Sequence, residues 1–448
     1  MLLSRPRREA ALYDLVIEDG TIISGSGRVV ADIAVQDGTI AYVGTNPGGP
    51  ARQRVSAIGR FVLPGVIDTH VHFRDPGHPA KEDWGSGSRA AASGGITTVC
   101  DMPNTRPPTL DRATFAEKQA LATEKSAVDF GIWVGASAGN LDEARALADE
   151  GPACGIKVFM GASTGPLLVD DATLVRFFEQ TRALMGVHAE DEVTLEAGRV
   201  AWRGRTPPSH HDTRPAEAAR IAVARLLELT QAFPRPVHVC HVSTALELEL
   251  LVAARGSLPI TSEASPHHLW LSTDSDLGNF GKVNPPLRPE ADRRALWAAV
   301  RRGQVDTIGS DHAPHTREEK ERGYEEAPAG IPGVETTLPL LMSAVRQARL
   351  PLEAVVRMCA ETPAKIFGFT RKGRVAVGFD ADLLVVSDSE PARLTESQLL
   401  TRVGWSPFTG QKLSPKPDAV YVRGTLVAAR GLVAAGEHRG RLVSPSRG

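Results

Sequence analysis

Hydrophobic and polar positions follow three successive textures along the chain. From Leu15 to about Arg60 apolar and polar residues alternate, the period of half-buried strands. Two matching stretches, Ile17-Glu-Asp-Gly-Thr-Ile and Val35-Gln-Asp-Gly-Thr-Ile, carry Asp-Gly, which favours tight hairpin turns. Similar short strands return in Gly378-Phe-Asp-Ala-Asp-Leu-Leu-Val-Val and Ala419-Val-Tyr-Val-Arg-Gly-Thr-Leu-Val-Ala. Both chain ends are therefore expected to join in one small β-sandwich domain.

Between the ends, apolar runs of four to eight residues alternate with helical stretches, the pattern of βα units on a parallel sheet. Eight runs stand out: Val66 to Val71, Ile96 to Cys100, Phe130 to Val134, Ile156 to Met160, Met185 to His188, Pro236 to Val242, Pro259 to Glu263 and Val305 to Ile308. Eight repeats fit an α/β fold of the (β/α)8 TIM barrel type better than an open doubly wound sheet. The phosphate-binding patterns Gly-x-Gly-x-x-Gly and Gly-x4-Gly-Lys-Ser/Thr are absent. The expected division is 1–62 and 372–448 for the sandwich and 63–371 for the barrel.

Composition narrows the classes. Of 448 residues, 42% are hydrophobic and 23% charged, enough apolar material for a large core and unlike a disordered chain. The net charge of −2, with no block of like charges, argues against nucleic acid and points to a small metabolite. Apolar stretches such as Leu338 to Val345 fall far short of a membrane span, and Met1 to Ala11 lacks a signal-peptide core, so a cytoplasmic protein is expected. Cys100, Cys154, Cys240 and Cys359 each stand alone in apolar surroundings and read as buried, reduced thiols.

In such barrels the chemistry sits at the C-terminal ends of the strands. His70 and His72 share one face of the first strand, because strand side chains alternate. Lys157 lies on the fourth strand, His188 ends the fifth, His241 follows the sixth and Asp311 follows the eighth. Each alone reads as a satisfied polar residue; together they make a nitrogen and oxygen donor set suited to zinc. Burial of Lys157 in Gly155-Ile-Lys-Val-Phe-Met favours a neutral amine, which adds carbon dioxide to give a carbamate able to bridge two metals. A buried lysine–carboxylate pair or a Schiff-base lysine remains the alternative. Two bridged metals holding a hydroxide would hydrolyse an amide-like bond, with Asp311 as general acid and base.

Several strings, in order, resemble the dihydroorotases, a branch of the amidohydrolase superfamily. They are Pro64-Gly-Val-Ile-Asp-Thr-His-Val-His-Phe-Arg-Asp-Pro-Gly, Asp101-Met-Pro-Asn-Thr, Lys157-Val-Phe-Met-Gly-Ala-Ser, Asn284-Pro-Pro-Leu-Arg and Asp311-His-Ala-Pro-His. Lys372-Gly-Arg-Val-Ala-Val-Gly-Phe-Asp-Ala-Asp-Leu extends the likeness to the strand return, so that it runs from about Asp14 to Gly424. The resemblance implies reversible cyclisation of N-carbamoyl-L-aspartate to L-dihydroorotate in pyrimidine synthesis. It implies two zinc ions per subunit, His70, His72 and Asp311 holding one, His188 and His241 the other, with carboxylated Lys157 and a hydroxide bridging them. Substrate contacts would come from Arg74, Asn104, Asn284, His315 and the backbone at Ala329 and Gly330. A homo-oligomer, and an association with aspartate transcarbamoylase, belong to the same implication.

The rival readings are an allantoinase or a hydantoinase of the same superfamily, sharing the metal ligands, and a non-catalytic scaffold, which would be expected to lack ligands. Arg74-Asp-Pro-Gly is the discriminator against both of these hydrolases: the resemblance implies a different residue in allantoinases where Arg74 stands, and no carboxylate grip there in hydantoinases. His78, His210, His211 and His238 read as hydrogen-bonded or solvated histidines, and His267 and His268 stand close enough to the mouth to leave their role open. The segment Gly161-Ala-Ser-Thr-Gly reads as a βα loop by default, with motion over the substrate as the alternative.

Overall fold

The computed structural model describes residues 12–163, 167–435 and 438–446. Its centre is a ring of parallel strands: β1 (Val66–Val71), β2 (Ile96–Asp101), β3 (Asp129–Ile132), β4 (Ile156–Phe159), β5 (Met185–His188), β6 (Val237–Val239), β7 (Ile260–Ala264) and β8 (Thr307–Ile308). β1 to β3 pair in sequence, as do β4 to β8. Val134 and Gly135, just past β3, pair with β4, and a bridge from Val71 to His312 closes the ring. All eight expected strands are present. They are buried along nearly their whole length, as parallel strands covered by helices must be. Trp133, Cys154, Cys240, Phe367 and Phe369 belong to one buried cluster, with Trp133 and Phe367 edge to face at 5.4 Å.

Five helices between the strands start at side-chain caps. Asp83, Asp111, Asp170, Asp191 and Thr244 each accept a hydrogen bond from the backbone three residues on, satisfying an orphan amide of the first turn.

The two chain ends share a nine-stranded sheet. Tyr13–Ser24, Gly27–Gln36, Thr39–Gly44, Ala51–Ser56 and Phe61–Pro64 join Leu383–Val386, Ala419–Val422, Thr425–Ala429 and Leu432–Val433. The seam is Phe61–Pro64 against Leu383–Val386. A separate apolar cluster that includes Ile17, Ile33, Val62, Leu383 and Tyr421 fills this domain. Its hydrogen bonding is continuous and branches at the first strand, whose early half pairs with 51–56 and later half with 61–62.

That branch point corrects one reading. Asp37-Gly38 does turn a hairpin, with φ of 51° and 75°. Asp19-Gly20 instead forms a bulge inside the strand Tyr13–Ser24. The Asp19 amide donates to Asp32 Oδ1 at 2.8 Å on the neighbouring strand, and a Cβ on Gly20 would lie 2.5 Å from Val62 Cγ2. The glycine is needed for close strand approach, not for chain reversal.

Buried ions fasten the domains together. Lys372 Nζ donates to Asp129 at 2.5 Å and Asp382 at 2.6 Å, joining β3 to the small sheet. The segment before the last described residue returns to the barrel, where Phe130 and Arg441 to Val443 exchange backbone bonds at 2.9 and 2.7 Å. Residues 387–418 form an excursion with a short hairpin, and its Trp405 Nε1 donates to His315 O at 2.8 Å. The Met1 to Ala11 stretch lies outside the described residues, among which no helix is long and apolar enough to cross a membrane.

Candidate active site

The six metal-ligand candidates meet at the C-terminal mouth of the barrel. His70, His72, Lys157, His188, His241 and Asp311 line one cavity, all buried. His70 Nε2 and His72 Nε2 stand 3.3 and 3.2 Å from Asp311 Oδ1. His188 Nδ1 stands 3.1 Å from His241 Nε2. Donors bonded to one tetrahedral zinc at its usual bond lengths lie about 3.3 Å apart, so both groups have the spacing of ligands around an ion. His241 Nδ1 is buried without a hydrogen-bond partner. The donor set therefore fits a metal ion, with His70, His72 and Asp311 clustered as one donor group and the His188–His241 pair beside them in the same cavity.

Backbone geometry aims these groups. His241 and Asp311 adopt φ of 35° and 45°, and Arg74 adopts 60°, a region that side-chain-bearing residues rarely occupy. Such strain collects where function over-determines the backbone.

Outer partners fix the rings. Glu263 Oε1 accepts from His70 Nδ1 at 2.8 Å, and Asn104 Oδ1 accepts from His72 Nδ1 at 2.6 Å, leaving each Nε2 for the cavity. Glu190 Oε2 lies 2.8 Å from His188 Nε2 and is paired to Arg214. Burial lowers His188 and His241, and pulls His72 down to about 3 against the opposing effect of Asp311; neutral imidazole is the ligand form. Burial also opposes charge on His70, but Glu263 and Asp311 outweigh it and push the ring up to about 10. Asp311 is buried, which favours its acid form, yet His70 and His72 hold its carboxyl well below the usual carboxylate range.

Lys157 meets no carboxylate among the described residues. Its Nζ lies 3.1 Å from Cys240 Sγ and 5.1 Å from the centre of the Phe159 ring. The ion-pair alternative for this lysine is therefore not what the fold provides. All four cysteines are buried and free, but Cys240 is no bystander: with His70 and Glu263 it forms a second group of clustered donor atoms.

Of the substrate candidates, Arg74, Asn104, Asn284, Ala329 and Gly330 line the same cavity. His315 stands behind them, its Nε2 3.2 Å from Arg74 Nη2 and 3.1 Å from Ala329 O. Asn104 does more than face the cavity, since it also orients His72. Asn284 Oδ1 is bonded to His210 Nε2 at 2.8 Å, so His210 buttresses a cavity residue. His238 bonds Thr261, His211 bonds Arg288, and His78 is half-buried outside the cavity. His267 and His268 are buried with ring centres 4.3 Å apart, and His268 Nε2 bonds Pro285 O at 3.0 Å. Ser163 lines the cavity, while 164–166, in the Gly161 to Gly165 loop and just past it, lie outside the described residues.

Sequence reading missed Glu263, Glu190, Arg214 and Cys240. Glu263 was at hand as the last residue of a predicted strand, and Glu190 follows His188 with the same parity.

A closed parallel barrel with imidazole, carboxylate and lysine groups at its strand ends defines a class of hydrolases, and the chain belongs to the Amidohydrolase family, which it matches over residues 61–427. It is a hydrolase acting on cyclic amides. A dihydroorotase from Halobacterium salinarum is 40% identical over 92% of this chain and 96% of its own length. An allantoinase from Rubrobacter xylanophilus is 37% identical over 97% of this chain and 98% of its own. The solved L-hydantoinase (dihydropyrimidinase) from Arthrobacter aurescens superposes with a TM-score of 0.92 at 33% identity, covering 96% of this chain and all of that one.

Proposed function

We propose that this cyclic amidohydrolase is a dihydroorotase, interconverting N-carbamoyl-L-aspartate and L-dihydroorotate. The observation that carries the reading is Arg74. Its guanidinium is buried at 4% exposure, lines the cavity two residues beyond His72 and makes no ion pair among the described residues. Its Nε has no hydrogen-bond partner. Asp311, Asp101 and Glu319 act on it only from beyond ion-pair distance. A buried cation with no anion in contact is costly, and a substrate carboxylate would supply that contact in a bidentate fork. Neutral allantoin or hydantoin rings would leave it unpaired.

The residues present fit two zinc ions, held by His70, His72 and Asp311 and by His188 and His241. Lys157, with no carboxylate beside it, would add carbon dioxide at Nζ, losing a proton, and the resulting anionic carbamate would lie between the two groups. Zinc at such a site polarises a carbonyl and lowers the pKa of water. The protein's own groups do the rest. Arg74 holds the carboxylate and fixes the ring's orientation, assisted by His315 and Asn104. Asn284 and the backbone of Ala329 and Gly330 meet the ring amides. Asp311 is held as a carboxylate, so it accepts the proton of the attacking water and returns it to the departing nitrogen.

The deciding experiment compares ring opening of L-dihydroorotate, allantoin and hydantoin by the zinc-loaded protein and by Arg74→Ala. Turnover of dihydroorotate alone, lowered roughly 10- to 100-fold in the variant, is the expected result. Preference for allantoin or hydantoin would overturn the reading while keeping the hydrolase, and absence of any turnover with zinc bound would favour a scaffold.

A further inference from the structure

We infer that Lys320 is a positioning residue for substrate recognition, its ammonium holding in place the 328–330 backbone that faces the ring. The inference rests on the proposed role of Ala329 and Gly330.

Lys320 is fully buried at the end of the short helix Arg317–Lys320. Its Nζ donates to Lys282 O at 3.0 Å, Pro328 O at 2.9 Å and Gly330 O at 3.1 Å. An ammonium has three N–H groups, and here each is spent on a backbone carbonyl. No carboxylate pairs with it among the described residues, and the Trp405 ring covers it at 5.9 Å. The clamp ties two segments that are distant in sequence but adjacent at the cavity wall. Lys282 adds to it, donating through Nζ to Tyr324 O and Ala327 O at 2.5 and 2.7 Å, while Gly330 N donates back to Lys282 O at 2.9 Å.

The clamped backbone is wired to the carboxylate seat. Lys81 Nζ donates to His315 Nδ1 at 3.1 Å, which leaves the Nε2 proton for Ala329 O. The same His315 ring lies against Arg74. Moving 328–330 would therefore disturb both the amide contacts and the grip on the carboxylate, without touching the metal ligands.

The clamp also responds to pH. Burial and the charge of Lys282 pull Lys320 down to about 7, with Glu319 opposing, and the neighbouring His315 is itself kept uncharged by burial. Below that pH the ammonium supplies three donors; above it the amine supplies two.

The test uses the full zinc-loaded chain, wild type and Lys320→Met. Amide hydrogen exchange across 323–331, corrected for intrinsic rates, is expected to quicken by roughly tenfold or more in the variant. Peptides from β1 and β5, and the zinc content, should not change. In the wild type the same region should loosen as pH rises from 6 to 9, and in the variant this dependence should shrink to the part carried by Lys282, whose ammonium burial pulls down to about 8. KM for L-dihydroorotate should rise by about tenfold with kcat within about threefold. Unchanged exchange and KM would overturn the inference, as would equal loss of kcat with loss of zinc. If Lys320→Met fails to fold, the milder Lys320→Gln is read in the same way, and unchanged exchange across 323–331 in it overturns the inference. Exchange requires no substrate, so quickened exchange in a protein inert to dihydroorotate would sink the substrate reading and leave the clamp standing.

Discussion

The two sides of the barrel mouth are built differently. The proposed metal donors His70, His72, Lys157 and His188 sit on or immediately after strands hydrogen-bonded to neighbours on both flanks. The proposed substrate contacts Asn284, His315, Ala329 and Gly330 sit on loops, with the backbone around Ala329 and Gly330 held by Lys282 and the buried Lys320 through carbonyls. The first side belongs to the barrel and offers one chemistry; the second is adjustable without disturbing it. Relatives named dihydroorotase, allantoinase and L-hydantoinase, at similar identity to this chain, accord with that division. Binding sites on loops over a rigid scaffold are how one fold serves several substrates.

Substitutions on the strand side should cost most. Lys157→Ala is expected to lower activity by well over roughly 100-fold, beyond the scale of outer-partner effects, and to lower bound zinc measured by mass spectrometry. Short carboxylic acids should restore part of both. Full activity in the variant would remove the carbamate from the account.

Arg74→Ala tests the loop side's partner on the strand side. Loss of a charge-assisted contact predicts a drop in kcat/KM for dihydroorotate of roughly 10- to 100-fold, with zinc content unchanged. Zinc loss in this variant would erase the separation drawn above. Glu190→Gln probes a carboxylate that braces His188 from outside the cavity and is itself paired to Arg214. Chelator titration should show the second zinc bound roughly tenfold more weakly or worse and the first unaffected.

The smallest effect concerns His210, on the loop side. Its Nε2 proton is given to Asn284 and its Nδ1 accepts from Tyr324, so both nitrogens are committed in the neutral ring. Burial, then the charge of Arg214, pulls it down to about 3. The unfolded chain takes up a proton near pH 6.5 and the folded one does not. Its contribution to stability is therefore full above 6.5 and falls as pH drops towards 3. His210→Gln should flatten this part of the denaturant midpoint against pH; an unaltered slope would contradict it.

How legible the molecule was in its sequence depended on periodicity. The eight strands were readable because short apolar runs bounded by glycine and proline repeat, and the donors were readable because strand parity puts His70 and His72 on one face. Glu263 escaped notice because an acid at a strand end looks the same whether it braces a histidine or meets solvent. Asp19-Gly20 misled because the dipeptide serves a bulge and a turn alike, and the difference lies in Val62, four decades of residues away. Lys320 lay in Thr316-Arg-Glu-Glu-Lys-Glu-Arg, a composition that reads as a solvated face, and only the tertiary fold buries it.

The shared sheet sets an order of events in synthesis. Phe61–Pro64 emerges early, yet one of its edges finds its partner only when Leu383–Val386 has been made. At ribosomal rates that interval is roughly 15 to 60 s. Throughout it, an apolar strand edge stands open while the barrel assembles beside it, a template for pairing with other nascent chains.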